Sequence, residues 1–192
     1  MLLKKDFYFI RHGQTAYNAS GTKEDHPSYI PLNDVGRSQA EGVEPLIASL
    51  PIKTICFSPM ERAKETKKLI TPRLDAIHYE IEDLSECDSY TWQAMVDLGP
   101  DAHRSAVDPV LSFIYRVAKG INLALLQPGP VLIISHGGVH WATCCLMEVE
   151  HEWSIDNCVP VHFTVEQSGQ WRAKKLIYTE RDSRIGFGKA GA

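Results

Sequence analysis

Val131-Leu132-Ile133-Ile134-Ser135 runs directly into His136-Gly137-Gly138, and this stretch decides the fold. A short, unbroken apolar run with no polar alternation reads as a strand buried on both faces, as at the centre of a parallel sheet. Gln127-Pro128-Gly129-Pro130 stops the segment before it, and a helix is predicted after it from about Val139 to Met147. Upstream, Asp108-Pro109 reads as the cap and first residue of a longer helix whose apolar stripe is Leu111, Ile114, Ala118, Ile121 and Leu125.

The same strand-then-helix alternation recurs towards the N-terminus. Asp6 to Ile10 is predicted as a first strand, followed by a polar loop over residues 13–32. A helix from about Gly36 to Leu50 carries Ala40, Val43, Ile47 and Leu50 on one face, and Pro51 ends it. Lys53 to Phe57 reads as a second strand. Ser58, Pro59 and Glu61 then supply an N-cap, a first-turn proline and a capping-box partner for a helix that Pro72 stops. A short third strand covers roughly Ile77 to Ile81, whereas residues 82–107 show no dominant period. Two late strands are expected near Val159–Val165 and Trp171–Tyr178. A mobile tail is expected over residues 180–192, where Gly186, Gly188 and Gly191 lie. Strands joined by helical crossovers imply a three-layer α/β/α fold with a mostly parallel central sheet, here as one domain over residues 1–192.

Composition sets the outer bounds. The 192 residues are 44% hydrophobic and 23% charged, which suits an ordinary globular core. A formal net charge of -4 argues against nucleic acid and anionic membranes as partners, so any affinity for phosphate must come from a local cluster of cations. The charged start Met-Leu-Leu-Lys-Lys-Asp is unlike a signal peptide, and no run approaches a membrane span. Five cysteines (Cys56, Cys87, Cys144, Cys145 and Cys158) without CxxC spacing read as reduced thiols in a cytoplasmic protein.

In sheets of this kind ligands bind beyond the carboxyl ends of the strands. The first strand runs into Arg11-His12-Gly13, the second into Ser58 and the helix bearing Arg62, and the central one into His136-Gly137-Gly138. The third leads towards Glu82, Asp83 and Glu86. Two histidines, two arginines and nearby carboxylates at neighbouring strand ends suggest an anion site with acid–base groups. Arginine forks match phosphate oxygens, and a neutral imidazole is a good nucleophile near neutral pH. Such donors can stabilise the transferring group without a metal, so neither a metal nor an organic cofactor is expected.

Arg11-His12-Gly13-Gln14-Thr15 resembles the RHGxT signature of the histidine phosphatase superfamily, also called phosphoglycerate mutase-like. Thr15-Ala16-Tyr17-Asn18 matches its TxxN continuation, and residues 31–40, Pro31 through Gly36 to Gln39-Ala40, are similar to its PLTxxGxxQA. Ser58-Pro59-Met60-Glu61-Arg62-Ala63-Lys64-Glu65-Thr66 resembles SPxxRAxxT, and Ser135-His136-Gly137-Gly138 the second histidine motif; Asn157-Cys158 before a late strand also fits. The resemblance implies that His12 is phosphorylated and that Arg11, Arg62 and His136 hold the phosphate, with Asn18 and Gly137 assisting. Glu86, in Leu84-Ser85-Glu86, matches the family's LxE and is the candidate proton donor. The family's aromatic-Glu-Gly continuation is replaced here by Cys87-Asp88-Ser89-Tyr90, so Asp83 and Asp88 stand as alternatives.

The implied reaction is in-line attack by neutral His12, with Arg11, Arg62 and a cationic His136 on the equatorial oxygens, followed by hydrolysis of the phosphohistidine. Glu86 is to give its proton to the leaving oxygen and then activate water, which requires burial or nearby negative charge to keep it protonated at the start. A phosphatase acting on a small phosphomonoester is the favoured reading, and a phosphoprotein is the other substrate class. A cofactor-dependent phosphoglycerate mutase and a catalytically inactive binding module are the competing functions.

Other residues read more simply. Arg37 is a helix-face charge. His136 and His140, four apart, lack a third metal ligand. Cys144 and Cys145 belong to the core, and Lys23, His26, His103 and Arg104 are solvated.

Overall fold

The computed structural model describes residues 2–20, 28–99, 104, 108–149 and 155–176. Six strands form one sheet: β1 (Phe7–Arg11), β2 (Thr54–Phe57), β3 (Ile77–Glu80), β4 (Val131–Ser135), β5 (Pro160–Val165) and β6 (Trp171–Lys175). Their order across the sheet is β3-β2-β4-β1-β5-β6. The first four run parallel, whereas β5 pairs antiparallel with β1 and β6 antiparallel with β5. The mostly parallel sheet is therefore present, with an antiparallel hairpin added at one edge. Its turn uses Gly169 at φ +80°, a region that favours glycine.

The helices are α1 (Ala16–Ser20), α2 (Asp34–Ser49), α3 (Glu61–Ile70), α4 (Ser89–Leu98), α5 (Val110–Leu125) and α6 (Gly137–Met147), with a 3₁₀ turn at Glu82–Leu84. Side chains of a strand alternate between faces, and here both faces are dry. Phe7, Phe9, Val131 and Ile133 enter a core shared with α5 and α6, while Tyr8, Ile10, Leu132 and Ile134 enter a second core under α2 and α3. Burial on both faces is why β4 contains no alternating polar residue, and it yields the three layers.

Local differences from the sequence reading have identifiable causes. The polar loop over residues 13–32 contains α1, which Thr15 caps through paired bonds with Asn18 (3.2 Å each way). Residues 82–107 include α4, capped by Asp88 accepting from Thr91 N–H at 2.6 Å. Only Thr91 and Met95 of α4 are buried, too little to give a periodic stripe. On α5, Val110, Phe113, Val117, Gly120 and Ala124 join Ile114, Ile121 and Leu125 on the buried face, while Leu111 and Ala118 sit at its margin. Helix α5 also begins one residue later than expected: Pro109 occupies the cap position, and Asp108 accepts from Ser112 Oγ (2.6 Å) instead of a backbone amide. Helix α3 likewise begins at Glu61, with Met60 in the cap position and no side-chain cap; Ser58, two residues earlier, accepts from Met60 N–H and lies against His136. The end of the expected last strand, Tyr178, and the tail over residues 180–192 lie outside the described residues.

Candidate active site

Strands β1 and β4 end side by side, Arg11 opposite Ser135. The chain segments leaving them are tied together by backbone bonds. His12 N–H donates to Ser135 O (3.0 Å), Ser58 N–H to Ile134 O (3.1 Å) and Cys158 N–H to Arg11 O (3.0 Å). The Asn157 Nδ2 amide adds a bond to His12 O at 2.7 Å. Register in the sheet thus carries His12, Ser58 and His136 to one place.

His12 is 3% exposed. Its Nδ1 lies 2.7 Å from Gly13 O, an acceptor only, so Nδ1 carries the ring proton and Nε2 keeps its lone pair. Arg62 Nε donates to that Nε2 at 3.2 Å. The segment is braced from behind. Gly13 N–H donates to Thr66 Oγ1 (3.0 Å), Gln14 N–H to Gln39 Oε1 (2.9 Å), and Asn33 N–H to Gln14 O (3.0 Å). A Cβ on Gly36 would stand 2.1 Å from Gln14 O, and one on Gly13 would stand 2.4 Å from Gly36 O. Gly13 is therefore needed for close packing on α2.

Arg11 and Arg62 are brought into the same region. Arg11 donates through a terminal nitrogen to Ile155 O (2.7 Å), while its Nε is buried without a partner. Burial pushes both guanidinium pKa values down; Glu86 pulls both back up, aided at Arg11 by Asp156 and Cys158 and opposed at Arg62 by Arg11. A guanidinium nevertheless keeps its charge in a protein.

His136 is fully buried, its ring centroid 5.1 Å from that of His12. Its Nε2 lies 2.8 Å from Ser58 Oγ, and its Nδ1 is buried without a partner. Burial holds its pKa well below the ordinary value, and the charges of Arg62, His12, Arg11 and Arg116 push the same way. Both effects disfavour a positive charge on the ring.

Glu86 sits at the start of α6. One carboxylate oxygen accepts from Gly138 N–H and the other from Cys87 N–H, both at 3.1 Å. A Cβ on Gly138 would be 2.3 Å from Glu86 Oε1, so the space that glycine leaves is filled by the carboxylate. Gly137 opens α6 facing the Arg11 guanidinium, with ordinary contact distances of 3.6 Å for a Cβ there. The alternative acids are occupied: Asp83 pairs with Lys119 Nζ (2.9 Å) and Asp88 caps α4. Asn18 uses its side-chain oxygen to close the α1 cap.

Arg116 has no place in the sequence reading. From α5 it donates to Asp83 O (3.2 Å), Ser85 O (2.8 Å) and Glu86 O (3.2 Å), clamping the backbone that presents Glu86. The one signal for it is a charged residue bordering the buried stripe, between Phe113 and Val117. Elsewhere the simpler readings hold. Arg37 pairs with Glu65 (2.7 Å) and Asp34 (3.1 Å) on the helix surface, and Cys144 and Cys145 are buried. His140 packs against Phe9, ring centroids 5.4 Å apart, and exposed Arg104 faces Glu148 at 3.6 Å. Lys23, His26 and His103 lie outside the described residues. No helix among the described residues is long and apolar enough to cross a membrane.

The fold has counterparts. Solved structures share the fold, among them the alpha-ribazole phosphatase from Shigella flexneri (21% identity, 90% of this chain and 96% of that one, TM-score 0.67) and a mycobacterial glucosyl-3-phosphoglycerate phosphatase (18% identity, 89% and 97%, TM-score 0.66). In sequence, the chain is 31% identical to an agropine synthesis reductase of Rhizobium rhizogenes over 96% of its own length, but spans only 46% of that longer protein. It is 26% identical to the adenosylcobalamin/alpha-ribazole phosphatase of Salmonella typhimurium over 86% of this chain and 88% of that one. A family profile described as histidine phosphatase superfamily (branch 1) matches residues 7–177. With that match running from the first residue of β1 past the last residue of β6, the chain belongs to the histidine phosphatase superfamily.

Proposed function

We propose that this chain is a metal-independent phosphatase that hydrolyses a small phosphomonoester through a phosphohistidine at His12 Nε2. The observation that carries the reading is the His12 ring. Its Nδ1–H is directed to Gly13 O, which leaves the Nε2 lone pair facing Arg62 in a buried site. In the first step Nε2 forms a bond to phosphorus as the ester P–O bond breaks. Glu86 gives its proton to the leaving oxygen. Arg11, Arg62 and His136 hold the equatorial oxygens, assisted by Asn18 and the Gly137 amide. In the second step Glu86 takes a proton from water, whose oxygen bonds to phosphorus as the N–P bond breaks. His12 returns to its starting state. The guanidinium groups supply the charge stabilisation a metal would otherwise give.

The net charge of -4 disfavours nucleic acid and anionic membranes, a relative named for the small ester alpha-ribazole phosphate favours a small substrate over a phosphoprotein, and a cytoplasmic setting suits five cysteines outside any disulfide. Mutase chemistry is the second reading. The chain is 25% identical to a 2,3-bisphosphoglycerate-dependent phosphoglycerate mutase of Gloeobacter violaceus over 83% of its length. The presence of His12, Arg11, Arg62 and His136 together speaks against an inactive binding module.

The test is hydrolysis of para-nitrophenyl phosphate in excess EDTA by wild type and His12→Ala. Activity should survive the chelator and fall in the variant by at least the roughly 10²–10⁴-fold typical of a lost catalytic group. Turnover by the variant within tenfold of wild type would remove His12 as nucleophile. If wild type is inert, activity on 3-phosphoglycerate with its bisphosphate cofactor would establish the mutase instead. Alpha-ribazole phosphate heads the panel of natural esters, because a relative carries that activity in its name.

A further inference from the structure

Ser58 looks, in the sequence, like the N-cap of α3, yet no side chain caps that helix. The Ser58 hydroxyl is fully buried. It accepts from Met60 N–H at 3.3 Å and lies 2.8 Å from His136 Nε2. A hydroxyl has one proton to give and a neutral imidazole has one nitrogen to receive it. Two arrangements are possible for the pair. If His136 Nε2 carries the proton and donates to Ser58, the serine proton has no acceptor among the described contacts and the Nδ1 lone pair is also stranded. If Ser58 donates to Nε2, only the Nδ1–H is left without a partner. Each buried polar group left unsatisfied is destabilising, so the second arrangement, which strands one group where the first strands two, is favoured.

We propose that Ser58 is a positioning residue that fixes the His136 tautomer, so that a neutral His136 offers Nδ1–H to a phosphate oxygen. The inference rests on the phosphatase reading and adds a part to it. The cationic groups facing His136 support it: Arg11 and His12 at the end of β1, Arg62 on α3 and Arg116 on α5, while the carboxylate of Glu86 is engaged by the Gly138 and Cys87 amides. Three fixed guanidinium charges oppose a fourth cation there, so a proton donor that needs no positive charge suits the site. The stranded Nδ1 joins Arg11 Nε, also buried without a partner, as a pair of donors that a tetrahedral anion would satisfy.

Nitrogen-15 NMR of histidine-labelled wild type, without ligand near neutral pH, reads the tautomer directly and needs no activity. The expected result is a protonated Nδ1 and an unprotonated Nε2 on His136. An Nε2–H tautomer, or an imidazolium, would overturn the inference while leaving the His12 mechanism untouched. Failure of His12→Ala to lose activity would do the reverse. The second measurement is competitive inhibition by inorganic phosphate in wild type and Ser58→Ala. Loss of one hydrogen bond predicts weaker inhibition by about two- to tenfold near pH 8. The same nitrogen-15 measurement on Ser58→Ala should show the His136 tautomer shifted from Nδ1–H towards Nε2–H, which a loss of packing alone would not do. An unchanged tautomer in that variant would mean that Ser58 does not set the His136 proton and would overturn the proposal.

Discussion

Strands β4 and β3 each deliver one half of the candidate site, and they do it by opposite means. Every residue of β4 is buried, and its neighbours β1 and β2 hold it on both sides. Every residue of β3 is exposed, and β3 pairs with β2 alone. The groups after β1 and β4 that are proposed to hold phosphate inherit their positions from sheet register and backbone bonds. The segment after β3 has no such frame, and side chains from elsewhere hold it. Arg116 clamps three of its carbonyls, Ser135 Oγ donates to Leu84 O (2.7 Å), and Lys119 pairs with Asp83. The proposed phosphate half is thus built into the fold, whereas the proposed proton half is attached to it. Substitutions at the proton half should therefore alter turnover with the fold intact.

Glu86→Gln should give the largest effect of this kind. It keeps an oxygen for one of the two amide donors and removes the transferable proton, so folding should be retained. Turnover of an alkyl phosphate should drop about 10²–10⁴-fold. Para-nitrophenolate leaves without needing a proton, so the loss on that ester should be much smaller. Comparing kcat/KM on the two esters checks this, and equal losses would show that Glu86 does not protonate the leaving oxygen.

Arg116→Met tests the clamp itself and should act more mildly. Methionine keeps part of the stem that packs on Phe113, where the guanidinium now lies 4.9 Å from the ring centre, but loses the three bonds to the acid segment. Misplacing a catalytic group lowers kcat, so about a tenfold loss is expected, with inhibition by phosphate nearly unchanged because the phosphate half is held separately. A parallel loss of phosphate affinity would show that the two halves are mechanically one.

The same division explains what could be read in the sequence. Strand β4 announces itself because burial on both faces forbids polar residues, and the motif segments around His12, Gly36, Arg62 and His136 stand out because each must fit the others. Thr66, Gln39 and Asn33 are bonded to the Gly13–Gln14 backbone, and Gly36 admits that backbone at contact distance. The proton half left fainter marks. Helix α4 buries too few side chains to show a period, and Tyr90 in it is 73% exposed. Arg116 bonds to carbonyls, which every residue has, so no partner residue betrays it. Ser58 was misread for a different reason. Its spacing satisfies a helix-capping rule, but its hydroxyl accepts from Met60 N–H, ahead of the first helical residue, and pairs with a buried histidine from the neighbouring strand end. Local capping signals give way where such a tertiary partner is present.

The β4 end also predicts a small effect of pH on stability. His136 has a folded-state pKa well below its ordinary value of 6.5, first because it is buried and then because Arg62, His12, Arg11 and Arg116 surround it. Between those two values the unfolded chain binds a proton that the folded chain does not. Stability therefore rises with pH through that window, is fully present above about 6.5, and declines as the pH falls below it. His78 and His162 are shifted the same way, His78 by burial and then Lys67, His162 by burial in excess of the pull of Asp6. The wild-type slope alone is thus not diagnostic, and the comparison must be with His136→Asn, which keeps a polar side chain and removes this one titration. Urea midpoints measured at about pH 7 and about pH 5.5 should fall further in wild type than in the variant, by no more than one proton's contribution. Equal losses would mean that folded His136 takes up its proton with ordinary ease. The β4 end would then be as adaptable as the β3 end, and the contrast between a fixed phosphate half and an attached proton half would fail at its most buried residue.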